Sequence, residues 1–412
     1  MITKNTTSNL RVDLARKVRR DRQLRTLKNV LLAAPLMLFL LLVFAIPIAV
    51  FAFRAVDNAV LHDSFPNTHL ALQGWEAGEE MPEEAFAALA ADLKSIDSPE
   101  RVAVVARNLN NFFEGFRSLL MKTANRLPDS AVEAGRETFL AIDRRWQKPE
   151  YWHVLKHQTA RFTPSFLLAA LDLKIGPGGG VIQVEPDRRL YVPLLLRTFE
   201  ISFWVAGICL LLGYPTAYVM TKLPPLAAGI AMICVMLPFW TSLLVRTTAW
   251  IIVLQGNGPA NGLLQFLGLI DAPLELIFNR FGTLVAMSHV LLPYMILPLY
   301  SVMKLVPANQ VLAAQSLGAD TRTAFLRIYL PQTAPGIAAG LLLVFVLALG
   351  YYITPTLVGG PRDQMLSYMI TYHVNEVVNW GMASALGVLL LFSTLVLLLL
   401  LSRFIRINQI VG

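Results

Sequence analysis

The sequence predicts an all-α polytopic membrane protein, with six transmembrane helices and a mostly helical extracytoplasmic insertion. Three observations predict it. Of 412 residues, 55% are hydrophobic and 15% charged, with mean hydropathy +0.56, a balance unsuited to a soluble domain. The apolar residues gather into runs near 20 residues, enough to cross a hydrocarbon core of roughly 30 Å. One long stretch of different composition interrupts the series.

The runs fall at about 30–52, 193–220, 226–254, 281–303, 336–357 and 382–402. Each must be helical, because lipid offers no partner to a free backbone N–H or C=O. Pro35, Pro47, Pro215, Pro238, Pro293 and Pro298 lie inside them and imply kinks. The first run follows a basic tail, 1–29, with nine Lys/Arg. It is longer than a signal-peptide core and has no small-residue cleavage site, so it reads as a retained anchor. Segments 1–29, 221–225, 304–335 and 403–412 hold 15 Lys/Arg against three Asp. The short opposite loops, 255–280 and 359–380, hold two Arg against four acids. This asymmetry places both termini in the cytosol. The net charge of +8 therefore reads as a topology signal and an attraction to anionic lipid, not a nucleic-acid surface. Cys209 and Cys234 sit in predicted spans and read as small buried hydrophobes.

The interrupting stretch, within 53–192, carries 16 Lys/Arg and 19 Asp/Glu over residues 54–190. Apolar residues in PEEAFAALAADLKSI and SPERVAVVARNLNNFFEGFRSLLMK recur at three- and four-residue spacing, and a third helix is expected at about 129–146. Ser98, Pro99 and Glu100 read as N-cap, first helical residue and first-turn acid. GPGGG at 176–180 lacks the Gly-Lys-Ser/Thr of a phosphate loop and reads as a flexible linker. His153 and His157 share a helix face, but no third ligand is near, so a metal site is not expected. With no G-x-S-x-G, Cys/His cluster, H-E-x-x-H or Walker motif, the chain reads as non-catalytic.

One polar segment, LAAQSLGADTRTAFLRIYLP at 312–331, separates the fourth and fifth runs. Pro307 can open a helix, Gly318 can end it in the left-handed region, and Asp320 and Thr321 can cap a second helix. Pro331 and Pro335 are expected to delimit that second helix. Ala313-Ala314, Gly318, Ile328 and Leu330-Pro331 resemble the E-A-A-x-x-x-G-x9-I-x-L-P loop of ABC-importer permeases. The motif's Glu position is Leu312 here, so no salt bridge from that position is expected. LPFWTSLLVRTTAWIIVLQGNGPANGLLQFLGLI at 237–270, ALGYYITPTLVGGPRDQMLSYMI at 348–370 and NWGMASALG at 379–387 resemble spermidine/putrescine-type permeases. The likeness covers about 193–405 and the first span, but not 54–190.

The resemblance implies a type I ABC importer fold, with a permease core at 193–405, a cytosolic coupling loop at 304–335 and a cytosolic tail at 406–412. It implies a second permease subunit, two copies of an ABC ATPase, a periplasmic solute-binding protein and a place in the bacterial inner membrane. ATP and Mg would be used by the ATPase, with no cofactor on this chain. The implied ATPase contact is Ala313, Ala314, Gly318, Ala319 and Asp320, with Arg322, Phe325 and Pro331 around it. Arg246, in the third run, is a solute-path candidate, although hydrogen bonding to backbone carbonyls is favoured. Arg197 and Glu200 are expected to pair or snorkel. Trp240, Trp250, Tyr351, Tyr352 and Thr354 are further solute candidates, with ordinary packing as the competing role. Tyr351 occupies a place where some relatives carry an acid, so little in the spans attracts a dication. A polyamine is the favoured solute, with an amino-acid-like or other small organic solute as the alternative. A secondary transporter would need intramembrane acids, and a receptor scaffold would not need the glycine-split helix.

Overall fold

The computed structural model describes residues 31–76, 79–128, 134–176 and 180–411, the last eleven by backbone alone. The basic tail, the centre of GPGGG and the first part of the expected 129–146 helix lie outside the described residues. Among the described residues five helices are long and apolar enough to cross a membrane: Leu31–Phe53, Tyr191–Lys222, Arg280–Met303, Thr321–Leu349 and Trp380–Leu400. A sixth span exists only if a bent pair, Pro225–Trp240 and Leu243–Phe266, is counted as one.

That pair corrects the expectation of one straight third helix. Pro238 removes a backbone donor, a 3₁₀ turn covers Leu237–Trp240, and the chain turns by 100° before Leu243. Prolines elsewhere are absorbed. Pro215, Pro293 and Pro298 sit inside continuous helices. At two places a five-residue π segment, Leu41–Ala45 and Phe325–Tyr329, ends two residues before a proline, Pro47 and Pro331. Opening the helix by one residue per turn relieves the clash between a proline ring and the carbonyl four residues earlier. Pro331 and Pro335 therefore do not end the second helix of the polar segment. It runs unbroken into the fifth span.

The chain divides into two units, residues 1–54 and 55–412. The first contains the span helix Leu31–Phe53. In the second, the helices Tyr191–Lys222, Arg280–Met303 and Leu330–Leu349 pack on one another in a three-helix centre. Its core contains Val205, Cys209, Met220, Met287, Met295, Leu299 and Val344. Met295 is wedged between two glycines. A β-carbon at Gly213 would lie 2.9 Å from its Cγ, and one at Gly340 would lie 2.6 Å from its sulfur. Only glycine lets the three backbones approach this closely. Cys209 is buried as expected; Cys234 is exposed.

The described residues of 59–158 hold seven α-helices of six to thirteen residues with a core of their own. Phe86, Phe116, Phe139, Trp146, Tyr151 and Trp152 meet largely edge-on in it. Ser98 caps its helix as expected, accepting from the Arg101 N–H. The expected 129–146 helix resolves into Arg136–Ile142 and a 3₁₀ turn, Arg144–Gln147. The chain closes this subdomain with a neck. Asp57 bridges Phe162, the Asn58 N–H donates to the Arg161 carbonyl at 2.9 Å, and the Thr163 N–H donates to Val56 at 3.0 Å.

Beyond the neck the insertion serves the spans. Ser165–Ala170 packs on the last helix, with Phe166 and Ala170 in a core shared with Leu194, Leu366, Met382 and Leu386. Two short antiparallel strands, β1 (Leu173–Ile175) and β2 (Val181–Gln183), pair on either side of the GPGGG stretch. Asp172, at φ +54°, accepts the N–H groups of Leu190, Tyr191 and Val192 at 3.0, 3.1 and 2.8 Å. A carboxylate on the free donors of a helix start stabilises the second span by about 1 kcal/mol or more.

Candidate functional site

Two groups of residues concentrate the polar chemistry of the spans: the loop between the fourth and fifth, and a cluster at the break in the third run. The loop is built locally. Ala308–Ser316 forms a helix after Pro307, and its end is a Schellman turn. The Ala319 N–H returns to the Ala314 carbonyl at 3.0 Å, and the Gly318 N–H to Gln315 at 3.0 Å. Gly318 sits at φ +93°, where a side chain is strained whatever space surrounds it. Asp320 then caps Thr321–Ala324, accepting from the Arg322 N–H at 3.2 Å. Hydrogen bonds from Thr323, first by side chain and then by backbone, with a further one from the Arg322 backbone, hold the Asp320 carboxyl below its ordinary range.

The first helix of this loop has little to lie on. Leu317 is 89% exposed and Leu312 61%, with Ala313 exposed between them. Aliphatic side chains displayed beside small residues make a shallow ridge that another surface can cover. The second helix differs. Phe325, expected to flank that face, turns inward and stacks with Tyr329, while Tyr214 and Tyr218 meet it edge-on. The Tyr214 hydroxyl also reaches Thr333 at 3.1 Å. Pro331 is exposed, at the head of the continuing helix. The structure thus brings Ala313 to Asp320 and Arg322 to one accessible strip, and puts Phe325 behind it.

At the break in the third run, Arg246 acts on backbone. Its guanidinium donates to the Pro238 carbonyl, to the Thr241 carbonyl at 2.9 Å and to the Thr241 hydroxyl at 3.2 Å. Carbonyls released by the bend would each cost several kcal/mol in hydrocarbon, and this side chain satisfies two. Around it the solute candidates separate. The Trp250 indole donates to His289 at 3.2 Å, and Thr354 is buried 3.5 Å from the Thr247 hydroxyl. Tyr351 packs on the three-helix core and its carbonyl accepts from Ser367 at 2.7 Å. Trp240, 74% exposed, and Tyr352 face outward. The Trp250 and His289 rings also meet edge-on, with centroids 5.4 Å apart. His289 lies 39 residues from Trp250, and helical periodicity carries no trace of that pairing.

Glu200 does not pair with Arg197. It accepts from Arg280 at 2.8 Å, and Arg280 also donates to the nearly buried Asp363 at 2.6 Å. Arg280 opens the fourth span, so this triad ties the second span, the fourth span and the 361–363 turn together. In the insertion the His153 and His157 rings stack 6.3 Å apart. Among the described residues no three His, Cys, Asp or Glu side chains are grouped to hold a metal.

Residues 159–409 match the family described as binding-protein-dependent transport system inner membrane component. The spermidine/putrescine transport system permease protein PotB of Haemophilus influenzae is 32% identical over 257 residues, 60% of this chain and 89% of that one. Its counterpart in Escherichia coli K12 is 32% identical over 223 residues, 54% of this chain and 80% of that one. A crystal structure of a bacterial ABC transporter involved in the import of the acidic polysaccharide alginate aligns at 18% identity. Its TM-score is 0.43, over 52% of this chain and 79% of that one.

Proposed function

The chain belongs to the family of inner-membrane components of binding-protein-dependent transport systems, and on that premise we propose how it works. It is a multi-pass permease subunit of an ABC importer, paired with a second permease subunit above two ATPase subunits that use ATP and Mg. The loop at 304–335 faces the cytosol and carries the coupling helix. The observation that supports this most is the glycine-ended helix Ala308–Ser316, which displays Leu312, Ala313 and Leu317 to a partner. Closure of the ATPase pair pulls on this helix. Because the next helix is continuous from Thr321 to Leu349, the pull is delivered along the fifth span as a rigid-body shift. Leu312, in place of the usual carboxylate, makes the contact one of shape rather than charge.

The solute we favour is a polyamine, as named for the relatives. Trp250 and Tyr351 supply aromatic faces for an ammonium group, each worth about 0.5–2 kcal/mol. Arg246 supports a second reading. Its guanidinium is met by neutral oxygens, and a solute bearing a carboxylate, such as an amino acid, would complement that charge. The insertion, on the opposite face, meets the solute-binding protein or the partner permease.

Gly318→Val tests the coupling assignment. Forcing a β-branched residue to φ +93° costs about 1–2 kcal/mol and spoils the turn. Capture of a Walker-motif ATPase is expected to fall at least about fivefold, and uptake with it. Undiminished capture and uptake would refute the coupling role. Uptake of labelled putrescine against labelled amino acids separates the two solutes.

A further inference from the structure

Behind the coupling helix lies a cleft of about 630 Å³, a volume typical of ligand sites. Three elements each send one cation to its rim. Lys222 is the last residue of the second span, Lys304 follows the last residue of the fourth, and Arg322 lies in the first turn after Asp320. Among the described residues no Asp or Glu lines the cleft, and none of the three cations has a carboxylate within ion-pair distance. Asp320 is the nearest acid in sequence to Arg322, and its oxygens are engaged with the backbone N–H of Arg322 and with Thr323. Lys222 and Lys304 instead lie over the rings of Tyr218 and Tyr300, at 5.4 and 5.7 Å.

Three like charges around one cleft repel, and no carboxylate among the described residues lines it to balance them. The walls between them are apolar. Met303, Val311 and Leu326 line the cleft, with the Phe325–Tyr329 stack at its back. A small inorganic anion would have no use for that surface. A phospholipid has both a phosphate for the cations and acyl carbon for the walls. Lysines at the ends of two spans stand at the depth where headgroups lie.

We propose that this cleft binds the phosphate of an anionic phospholipid of the cytosolic leaflet, held by Lys222, Lys304 and Arg322 against the underside of the coupling helix. The lipid would then set how firmly the helix sits before any ATPase arrives. The choice of leaflet rests on the orientation proposed above, whereas lipid retention is measured without ATPase or transport, so either idea can fail while the other stands.

The test is native mass spectrometry of the purified full chain, incubated with dioleoylphosphatidylglycerol or dioleoylphosphatidylcholine. The wild type is expected to keep the anionic lipid in preference to the neutral one. The double variant Lys222→Gln/Lys304→Gln should lower retained phosphatidylglycerol by about tenfold. Lys222→Arg/Lys304→Arg should restore it, which separates lost charge from lost folding. Equal retention of both lipids by the wild type would overturn the proposal, as would unchanged retention by the glutamine variant. Displacement of phosphatidylglycerol by millimolar inorganic phosphate would mark a free-anion site instead. Loss of ATPase capture with lipid retention intact would assign the cleft to the ATPase.

Discussion

The helical subdomain at 59–158 and the three-helix centre of the spans are both tightly packed, yet different forces hold them. Among the described residues the subdomain buries eight aromatic rings and a leucine-rich core, the solution favoured when water surrounds the outside. Its buried Asp92 is matched with four donors from Asn67 and Thr68, at 2.7 to 3.3 Å. The spans are surrounded by hydrocarbon, which is as apolar as their own side chains, so burial supplies little drive between them. They associate through close approach: Gly213 and Gly340 around Met295, a glycine at 336 against Val302. One region is stabilised by what it hides, the other by how near its backbones come.

The sharpest way to break that contrast is Trp152→Ala. Removing a fully buried indole from the aromatic core is expected to cost the subdomain about 3–5 kcal/mol. Near-UV circular dichroism should lose the subdomain signal while ATPase capture by the purified chain persists. Loss of both together would mean that the two regions unfold as one. Gly340→Leu strikes the other region. Its new side chain meets the Met295 sulfur, and overpacking is expected to cost about 1–3 kcal/mol. Thermal unfolding in detergent should show the span transition lowered and the subdomain transition unmoved. A stable, monodisperse variant would show that the contact has slack.

Acid supplies the mildest probe. Burial lowers the pKa of His69, His153 and His157 from 6.5, so their neutral rings favour the folded subdomain. That contribution is complete above pH 6.5 and declines as pH falls below it. Asp143 acts lower down. Hydrogen bonds from Arg145, with Lys122 assisting, hold its carboxyl well below the usual 3.8, so its contribution is present above 3.8 and lost beneath it. Both signs agree: the subdomain transition should fall as pH drops from 7 to 5 and fall again under stronger acid. A transition that rises on acidification would contradict both assignments.

How much of this was legible in the sequence depends on the range of the cause. The glycine end of the first loop helix and the Asp320 cap of the second were legible, since a Schellman turn and an Asp cap involve neighbours within six positions, whereas the inward turn of Phe325 was not. The spans and the helical insertion were legible from run length and periodicity. What escaped depends on distant partners. Glu200 meets Arg280 across 80 positions, and Trp250 meets His289 across 39. Pro331 should end a helix on local grounds, and it does not because a π segment precedes it. The 100° bend escaped because an apolar run has the same composition straight or broken. Arg246 stood out as polarity in an apolar run, but its acceptors, the carbonyls of Pro238 and Thr241, become visible only once the chain is bent.

The neck at 56–58 and 161–163 has a practical consequence. Its two segments are hydrogen-bonded as an antiparallel bridge, so the ends of the subdomain lie only about 5 Å apart. A cassette cut at those ends could be replaced by a few linking residues, or carried to another host, without stretching either chain. Asp172 and Phe166 lie past the cut and would stay behind, with the second span still capped and the last helix still covered. An exchange that strayed to residue 185 would remove both. Where the boundary is drawn thus decides whether a swap reports on the subdomain or merely damages the membrane-spanning helices.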